Sequence, residues 1–292
     1  MSAARPSTRE AWLQATRPRT LTAAVGAVAV GSSLAHARHR WDVTLASLGV
    51  AVSLQIASNF YNDYGDFIRG ADAERIGPKR AAQSGWLSPE KLRLGALVAI
   101  LAAIACGLHI VRLIGWPALV AGVAAIASAV AYTAGPAPLG YLGLGDAFVM
   151  LFFGIVAVNG NVLAHTGELS RTSLATSIAV GGLATAILVV NNLRDRVGDA
   201  KVGKQTLVVR FGQRFGRLEY TVLVAGAYAI AVGLALLDAR PLRLLPLVTL
   251  PLALVRIRSI WTLDGAELNA ELGRTAQLGL AYNLLLAVGV SS

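Results

Sequence analysis

Long apolar runs follow one another through most of this chain, and each is long enough to cross a bilayer as a helix. About 20 apolar residues in a helix, at about 1.5 Å per residue, span the roughly 30 Å of hydrocarbon. Nine such runs are predicted, at 20–36, 43–62, 93–115, 116–134, 146–164, 172–193, 219–238, 241–258 and 275–291. A water-free bilayer requires each run to satisfy its own backbone hydrogen bonds, so we predict an all-α, polytopic membrane protein.

Two of the nine runs need separate interpretation. The arginine-rich N-terminus with the first apolar run resembles a cleavable signal peptide. We expect a retained first helix instead, because many runs follow and because Trp12 and the segment 17–20 (Arg-Pro-Arg-Thr) are typical of an interfacial lead-in. Prolines inside a helix remove backbone hydrogen bonds, so the eighth run is expected to kink. It contains Pro241, Pro246 and Pro251.

Composition agrees with a bilayer as the surroundings of the chain. Hydrophobic residues make up 55% and charged residues 14%, against roughly 45–50% and 25% in soluble domains. The net charge of +10 does not indicate nucleic acid, because the cations lie in short loops and no recognition motif accompanies them. Of the 26 Lys and Arg residues, 20 lie in loops on the side of the N-terminus. We therefore expect a cell-membrane protein with a cytoplasmic N-terminus and an external C-terminus.

No linker or change in composition divides the chain, so residues 1–292 are predicted to form a single membrane domain. A group of oxygen-bearing side chains lies where the second run ends on the predicted cytoplasmic side. It consists of Asn59, Asn62, Asp63, Asp66 and Asp72. If the helix continues through Asp66, then Asn59, Asp63 and Asp66 fall at i, i+4 and i+7 and share one face.

A matching group lies where the sixth run ends on the same predicted side. It consists of Asn191, Asn192, Asp195 and Asp199, and Asn191, Asp195 and Asp199 repeat at i, i+4 and i+8. Carboxylates close to hydrocarbon are costly and usually functional. A single loop of this kind is adequately explained as ordinary polar residues at a membrane exit. Two loops with matching spacing on the same side favour a shared site.

The residue types in these groups indicate which ligand the site holds. Oxygen ligands without histidine or cysteine suit Mg²⁺, which binds through a few carboxylates and bridges substrate phosphates. Carboxylates alone repel a diphosphate, and bound metal ions reverse that repulsion. Nearby cations are expected to hold the remaining phosphate oxygens through charge-assisted hydrogen bonds. They are Arg75, Lys79, Arg80, Arg194 and Lys204. The sequence therefore predicts a magnesium-dependent diphosphate site.

Several further segments, together with the two motifs, resemble one known family across nearly the whole chain. They are Trp12 and the segments 17–21, 62–72, 75–80, 132–141 and 191–204. This combination resembles the UbiA superfamily of membrane aromatic prenyltransferases. Where relatives that use 4-hydroxybenzoate tend to show Asn-Asp-x-x-Asp-x-x-x-Asp, this chain has Gly70 at the last position and Asp72 two residues later. That spacing resembles the menaquinone-pathway branch of the superfamily.

The resemblance implies a fold and a reaction. The expected fold has about nine helices around a central cavity, with a cytoplasmic polar cap and a side opening for the prenyl tail. The expected reaction transfers a polyprenyl group from polyprenyl diphosphate to 1,4-dihydroxy-2-naphthoate, and carbon dioxide leaves the attacked carbon. Asp63, Asp66, Asp195 and Asp199 are the expected catalytic residues.

For several other residues the sequence indicates a place near the site but leaves more than one role open. Arg19 lies on the same predicted side as both motifs, where it is expected either to bind the acceptor carboxylate or the diphosphate, or to anchor the chain at the membrane surface. Asn59 is expected to contact substrate. Tyr132 and Tyr141 either shape the acceptor or cation pocket or act as interfacial anchors. The loop that contains them is rich in glycine and proline, which indicates a turn that lines the cavity.

Two alternative functions stay open at the level of sequence. The first is the same reaction with another aromatic acceptor, such as 4-hydroxybenzoate. The second is a cation-coupled transporter, which also holds paired acidic groups on related helices. A transporter needs those acids near the bilayer midplane, whereas here they lie at predicted cytoplasmic ends among many cations.

Overall fold

The computed structural model describes residues 6–70, 76–133 and 138–291, and these ranges contain helices and turns but no strand. The α-helices are α1 (Thr8–Ala15), α2 (Pro18–Leu34), α3 (Trp41–Ile68), α4 (Pro89–Ile114), α5 (Trp116–Ala131), α6 (Gly145–Val149), α7 (Ala157–Thr166), α8 (Arg171–Lys201), α9 (Leu207–Phe211), α10 (Gln213–Leu237), α11 (Leu250–Thr262) and α12 (Leu268–Val290). A π-helical segment, Met150–Val156, joins α6 to α7, and a 3₁₀ segment, Pro241–Thr249, precedes α11. The prediction of an all-α, polytopic fold is confirmed.

Each of the nine predicted runs corresponds to a helical segment among the described residues. Six of these segments are long and apolar enough to cross a membrane, and α5 is a shorter apolar helix. The predicted count of about nine spans is therefore approximate. In α12 the carboxylate of Glu271 is fully buried and forms ion pairs with Arg256 and Arg274, at 3.1 and 2.7 Å. Glu271 and Arg274 lower the hydropathy of α12, which packs against α2 within the bundle.

The proline-containing eighth run departs from regular α-helix, as its prolines predicted. Its first part, Pro241–Thr249, is a 3₁₀ segment with Pro246 inside it, and α11 begins directly afterwards. Proline removes a hydrogen-bond donor and clashes with the preceding turn, so an α-helix cannot run through Pro246 undisturbed.

The sixth predicted run forms the central helix, α8. In the most apolar stretch of α8, 78% of the residues are buried inside the protein. The corresponding share is 17–39% in the other five apolar spans. α2, α7, α10 and α12 pack against α8. The outer surface of the bundle exposes apolar side chains, such as Trp41, Leu101 and Leu252, where lipid would lie. This surface is typical of a protein whose solvent is the bilayer.

The helix made of α6, the π-helical segment and α7 crosses α8 at very short range. A Cβ atom added to Gly154 would lie 2.7 Å from the Cα atom of Gly181, closer than real contacts allow. Small residues let two helix backbones approach in this way. π-Helical turns are rare and are often found at functional sites, and this one lies at the wall of the central cavity described below.

We expect Gly154→Ala to destabilise the protein, because the added methyl group forces the helix away from α8. The expected loss is about 1–3 kcal/mol, seen as a lower melting temperature of the purified protein in detergent. Gly226→Ala in α10 is the matched control, because nothing lies within 4 Å of its added Cβ atom. That variant should melt at or slightly above the wild-type temperature, since alanine is the better helix former by about 1 kcal/mol. A Gly154→Ala protein as stable as the wild type would contradict this packing.

Candidate active site

A cavity of about 580 Å³ lies between α2, α3, α4, α5, α8 and the helix that contains the π-helical segment. One part of it is polar and lies at the carboxyl ends of α3 and α8. Its polar lining there includes Arg17, Gln55, Asn59, Asn62, Asp66, Arg80, Asn191 and Lys204. The remainder is mostly apolar, with walls that include Leu54, Ile110, Phe148 and Phe152. Such a cavity suits a molecule with a charged head and a hydrocarbon tail.

The first acidic motif is held by the loop that precedes α4. Asp63 is buried at the end of α3 and accepts hydrogen bonds from the backbone N–H groups of Ala81 and Ala82, at 3.0 and 3.4 Å. Asp66, three residues further on, lies 3.7 Å from the guanidinium of Arg80, and both side chains are buried. The loop therefore lies directly over the carboxylates of α3.

The two asparagines of this motif connect α3 to neighbouring segments. The side-chain amide of Asn59 donates to the carbonyl of Thr16 at 2.8 Å and to the hydroxyl of Thr20 at 3.1 Å. The side-chain oxygen of Asn62 accepts a hydrogen bond from Thr133 at 3.2 Å. Both asparagines line the cavity, and their bonds fix the position of the motif relative to α2 and α5.

The second acidic motif contains a buried arginine that organises it. Arg194 donates two hydrogen bonds to the carboxylate of Asp195, at 2.7 and 2.6 Å, and a third to the side-chain oxygen of Asn191, at 2.7 Å. A bidentate pair of this kind is strong and directional. Asp199, one turn further, pairs with Lys204 at 3.4 Å. The hydrogen bond from Arg194 holds Asn191 at the cavity wall.

The structure brings the two motifs to the same end of one cavity. Seven of the residues predicted for the site line it, namely Asn59, Asn62, Asp66, Arg80, Tyr132, Asn191 and Lys204. Asp63, Asn192, Asp195, Asp199 and Arg194 belong to the same two helix ends without lining the cavity. The remaining predicted residues within the described ranges are Arg19, Lys79 and Tyr141. Asp72 and Arg75 lie outside the described residues.

Arg19, Lys79 and Tyr141 do not line the cavity. Arg19 and Lys79 are exposed, and the side chain of Arg19 lies beside Gly273 of α12. Tyr141 packs against two cations, with the guanidinium of Arg69 at 5.4 Å and the ammonium of Lys204 at 6.0 Å from its ring centroid. These are cation–π distances, so Tyr141 positions cations at the rim.

Arg17 belongs to the site although the sequence favoured Arg19. Arg17 has a left-handed backbone, with φ of 50°, and it lines the cavity. Its guanidinium donates to the carbonyl of Asn59 at 3.2 Å. Strained, non-glycine backbones of this kind concentrate at functional sites. The Arg-Pro dipeptide was a signal in the sequence, because a residue before proline is disfavoured from the ordinary α-helical region.

Asp146 is a buried acid that sequence reasoning did not select, and it does not line the cavity. It lies at the start of α6, is 5% exposed, and its Oδ1 has no hydrogen-bond partner. Its helix packs closely against Tyr132, since a Cβ atom added to Gly145 would lie 2.8 Å from the Tyr132 hydroxyl. A single acid in a glycine-rich loop carries no spacing pattern, so periodicity gave no reason to select it.

The carboxylates of the two motifs fit a hard cation. Asp66 Oδ1 and Asp199 Oδ2 are buried and accept no hydrogen bond, and these two side chains repel each other electrostatically. Across residues 6–70, 76–133 and 138–291, no three Asp, Glu, His or Cys side chains are close enough to hold a metal by themselves. Mg²⁺ usually takes one or two carboxylates and completes its shell with water and substrate phosphates. The donors present suit that mode.

The fold and the site define an integral membrane protein with a polar chamber of acidic and basic side chains at one end of an apolar cavity. The profile of the UbiA prenyltransferase family matches residues 21–278. The chain belongs to the UbiA prenyltransferase family.

Named relatives and solved structures agree with this assignment. The chain is 35% identical to the 1,4-dihydroxy-2-naphthoate octaprenyltransferase of Escherichia coli K12, over 97% of this chain and 96% of that protein. It is 40% identical to the protein of the same name from Mycobacterium tuberculosis, over 83% of each. A UbiA homolog from Archaeoglobus fulgidus, solved bound to DMAPP and Mg²⁺, has the same fold, with a TM-score of 0.66, 17% identity and 95% and 99% of the two chains covered.

Proposed function

We propose that this protein transfers a polyprenyl group from polyprenyl diphosphate to 1,4-dihydroxy-2-naphthoate, with Mg²⁺ as cofactor. The product after loss of carbon dioxide is demethylmenaquinol, an intermediate of menaquinone biosynthesis. The observation that carries the proposal is the convergence of two acidic helix ends and several cations at the polar end of an apolar cavity. The names of the relatives, which are naphthoate octaprenyltransferases, support this choice of acceptor.

Asp66 and Asp199 are the proposed principal metal ligands, because each has a buried oxygen without a hydrogen bond. Asn62 and Asn191 add neutral oxygens at the cavity, and Asp72 extends the first motif. Bound Mg²⁺ supplies positive charge that stabilises the departing diphosphate. Asp63 and Asp195 are already bonded to the loop before α4 and to Arg194. They are proposed to hold those partners in place and to contribute negative charge.

Cations around the chamber are proposed to bind the diphosphate oxygens. Arg17, Arg80 and Lys204 are the best placed of these cations, because all three line the cavity. In the structure Arg80 pairs with Asp66 and Lys204 pairs with Asp199. On binding of substrate and metal, the two cations would pair with the diphosphate instead, and the two carboxylates with the metal. Arg75, Lys79 and Arg194, which the sequence also selected, are proposed to add positive charge. Preorganised cations of this kind stabilise charge that develops as the allylic C–O bond breaks.

The apolar part of the cavity is proposed to hold the proximal part of the prenyl chain. Phe148, Phe152 and Tyr132 line it, and their faces suit a delocalised allylic cation. Apolar walls exclude the water that would otherwise trap the cation. The C–O bond of the diphosphate breaks, a C–C bond forms at the ring carbon that bears the carboxylate, and that carboxylate leaves as carbon dioxide.

Residues 1–292 are proposed to act as a single domain in the cell membrane, with the N-terminus in the cytoplasm and the C-terminus outside. The distribution of Lys and Arg supports this orientation, since 20 of 26 lie in loops on the side of the N-terminus. Both acidic motifs would then face the cytoplasm.

The acceptor is tested with purified protein in detergent, Mg²⁺ and a labelled polyprenyl diphosphate. 1,4-Dihydroxy-2-naphthoate and 4-hydroxybenzoate are offered separately, and the products are identified by mass. We expect a prenylated naphthoquinol formed with loss of carbon dioxide. Product from 4-hydroxybenzoate alone would overturn the acceptor and keep the mechanism. If neither acceptor gives a product, the transporter interpretation becomes the better one.

Removal of divalent metal should stop the reaction. We expect excess EDTA to abolish prenyl transfer and added Mg²⁺ to restore it, because the carboxylates otherwise repel the diphosphate. The measurement is product formation before and after metal is restored. A chain that turns over at the same rate in EDTA would contradict a metal-dependent site.

A further inference from the structure

A second pocket, of about 420 Å³, lies at the end of the bundle opposite the acidic motifs. Its walls include Leu34 and Val290, where α2 and α12 end, and Thr172, in the first turn of α8. Residues 172 and 199 of α8 are separated by roughly 40 Å at about 1.5 Å per residue. This outer pocket is therefore distinct from the active-site cavity.

The polar lining of the outer pocket is rich in cationic and hydroxyl groups. It consists of His36, Ser170, Thr172, Asp238, Arg240 and Arg243. The carboxylate of Asp238 forms an ion pair with Arg243 and accepts a hydrogen bond from Thr172 at 3.5 Å. Since two guanidinium groups face one carboxylate, the pocket has a net positive charge. Ser170 caps α8, so the positive end of a 31-residue helix also lies here.

Arg243 supplies the observation that points to a ligand. It is 6% exposed, and one of its terminal nitrogens donates to the carbonyl of Leu234 at 3.3 Å. Its Nε is buried and has no hydrogen-bond partner. A buried donor of this kind costs free energy unless an acceptor oxygen satisfies it. A guanidinium, a helix N-terminus and hydroxyl groups are the donors that bind phosphate.

The surroundings indicate where the phosphate comes from. Leu236, Leu237 and Leu242 flank the cationic residues and are 76%, 84% and 50% exposed. A soluble anion needs no such apolar surface, whereas acyl chains would cover it. The turn that places Arg240 also has a left-handed alanine, Ala239, with φ of 51°. Backbone strain of this kind is typical of ligand sites, and in the described chain the other such non-glycine residue is Arg17 of the active site.

We propose that the outer pocket binds the phosphodiester headgroup of an anionic phospholipid, in the leaflet opposite the acidic motifs. Arg240 and Arg243 contact the phosphate oxygens, the first turn of α8 adds backbone donors, and the acyl chains lie along the exposed leucines. The net positive charge favours an anionic lipid over a zwitterionic one.

The test uses the full-length protein in detergent, titrated with phosphatidylglycerol, with phosphatidylcholine or with inorganic phosphate. Native mass spectrometry counts bound lipid, and the melting temperature reports its effect. We expect saturable binding of phosphatidylglycerol that Arg240→Gln weakens about tenfold, the effect of one charged hydrogen bond. Arg112→Gln, which removes an exposed arginine in the last turn of α4 that does not line the pocket, is the matched control and should bind like the wild type.

Two outcomes would overturn the proposal. If Arg240→Gln and Arg243→Lys both bind phosphatidylglycerol as the wild type does, the outer pocket is not a lipid site. If inorganic phosphate displaces the lipid and raises the melting temperature equally, the ligand is a soluble anion. Arg240 is exposed, so its substitution tests the site without disturbing the buried pair of Arg243 and Asp238.

Discussion

Asp66→Asn and Asp199→Asn should each lower kcat for prenyl transfer by on the order of 10³-fold, the size of effect seen when one preorganised electrostatic group is lost. Each substitution keeps the side-chain volume but removes the charge that holds the metal. The oxygens concerned are buried and accept no hydrogen bond, so the neutral amide breaks no bond at these atoms. The measurement is single-turnover kinetics at saturating Mg²⁺, together with the melting temperature of each variant.

The matched control is Glu168→Gln. Glu168 is an exposed carboxylate at the opposite end of the bundle, with 80% of its side chain exposed. Its substitution removes the same charge from the chain and should leave kcat unchanged. An Asp66→Asn or Asp199→Asn protein that folds normally and retains wild-type kcat would exclude these carboxylates as metal ligands.

Arg17→Gln should lower kcat/KM by about 10- to 150-fold, because a hydrogen bond to a charged group is worth roughly 1.5–3 kcal/mol. Arg17 lines the cavity beside Asn59 and lies close enough to Asp63 to attract its charge. We expect the loss to grow when the substrate binds mainly through its diphosphate, as with short prenyl chains. Steady-state kinetics with geranyl diphosphate and a long-chain diphosphate measure this difference.

Arg19→Gln is the control that the chain itself provides. Arg19 stands two residues later, is exposed, and does not line the cavity. It should retain activity close to the wild type if Arg17 binds the diphosphate. The reverse result, with Arg19→Gln impaired and Arg17→Gln active, would restore the residue that the sequence favoured.

The two acidic motifs are similar in sequence but are supported differently. In the first, backbone N–H groups of a loop hold Asp63. In the second, the buried side chain of Arg194 holds Asp195. In both, a second carboxylate, Asp66 or Asp199, faces a cation and keeps one oxygen unbonded. This division between a held carboxylate and an available one was not visible in the spacing.

The sequence determined the features that depend on helical periodicity and on the cost of polar groups in hydrocarbon. Apolar runs of sufficient length can only be helices in a bilayer, so the all-α architecture follows directly. Oxygen-bearing residues at i and i+4 share one face of a helix. For this reason the stripes ending at Asp66 and Asp199 were identifiable before their contacts were known. Because both stripes end runs on the same predicted side, their meeting at one end of the bundle was also predictable.

Only the tertiary structure decided which neighbouring side chain reaches the cavity. Arg17 and Arg19 differ by two residues, and the left-handed backbone of Arg17 directs it inward while Arg19 packs beside α12. Asp146 is buried where α6 packs against Tyr132, a contact that no local pattern records. The outer pocket likewise forms from the ends of four helices that are distant in sequence. Local periodicity fixes which residues share a helix face, whereas backbone strain and contacts between distant segments fix what that face meets.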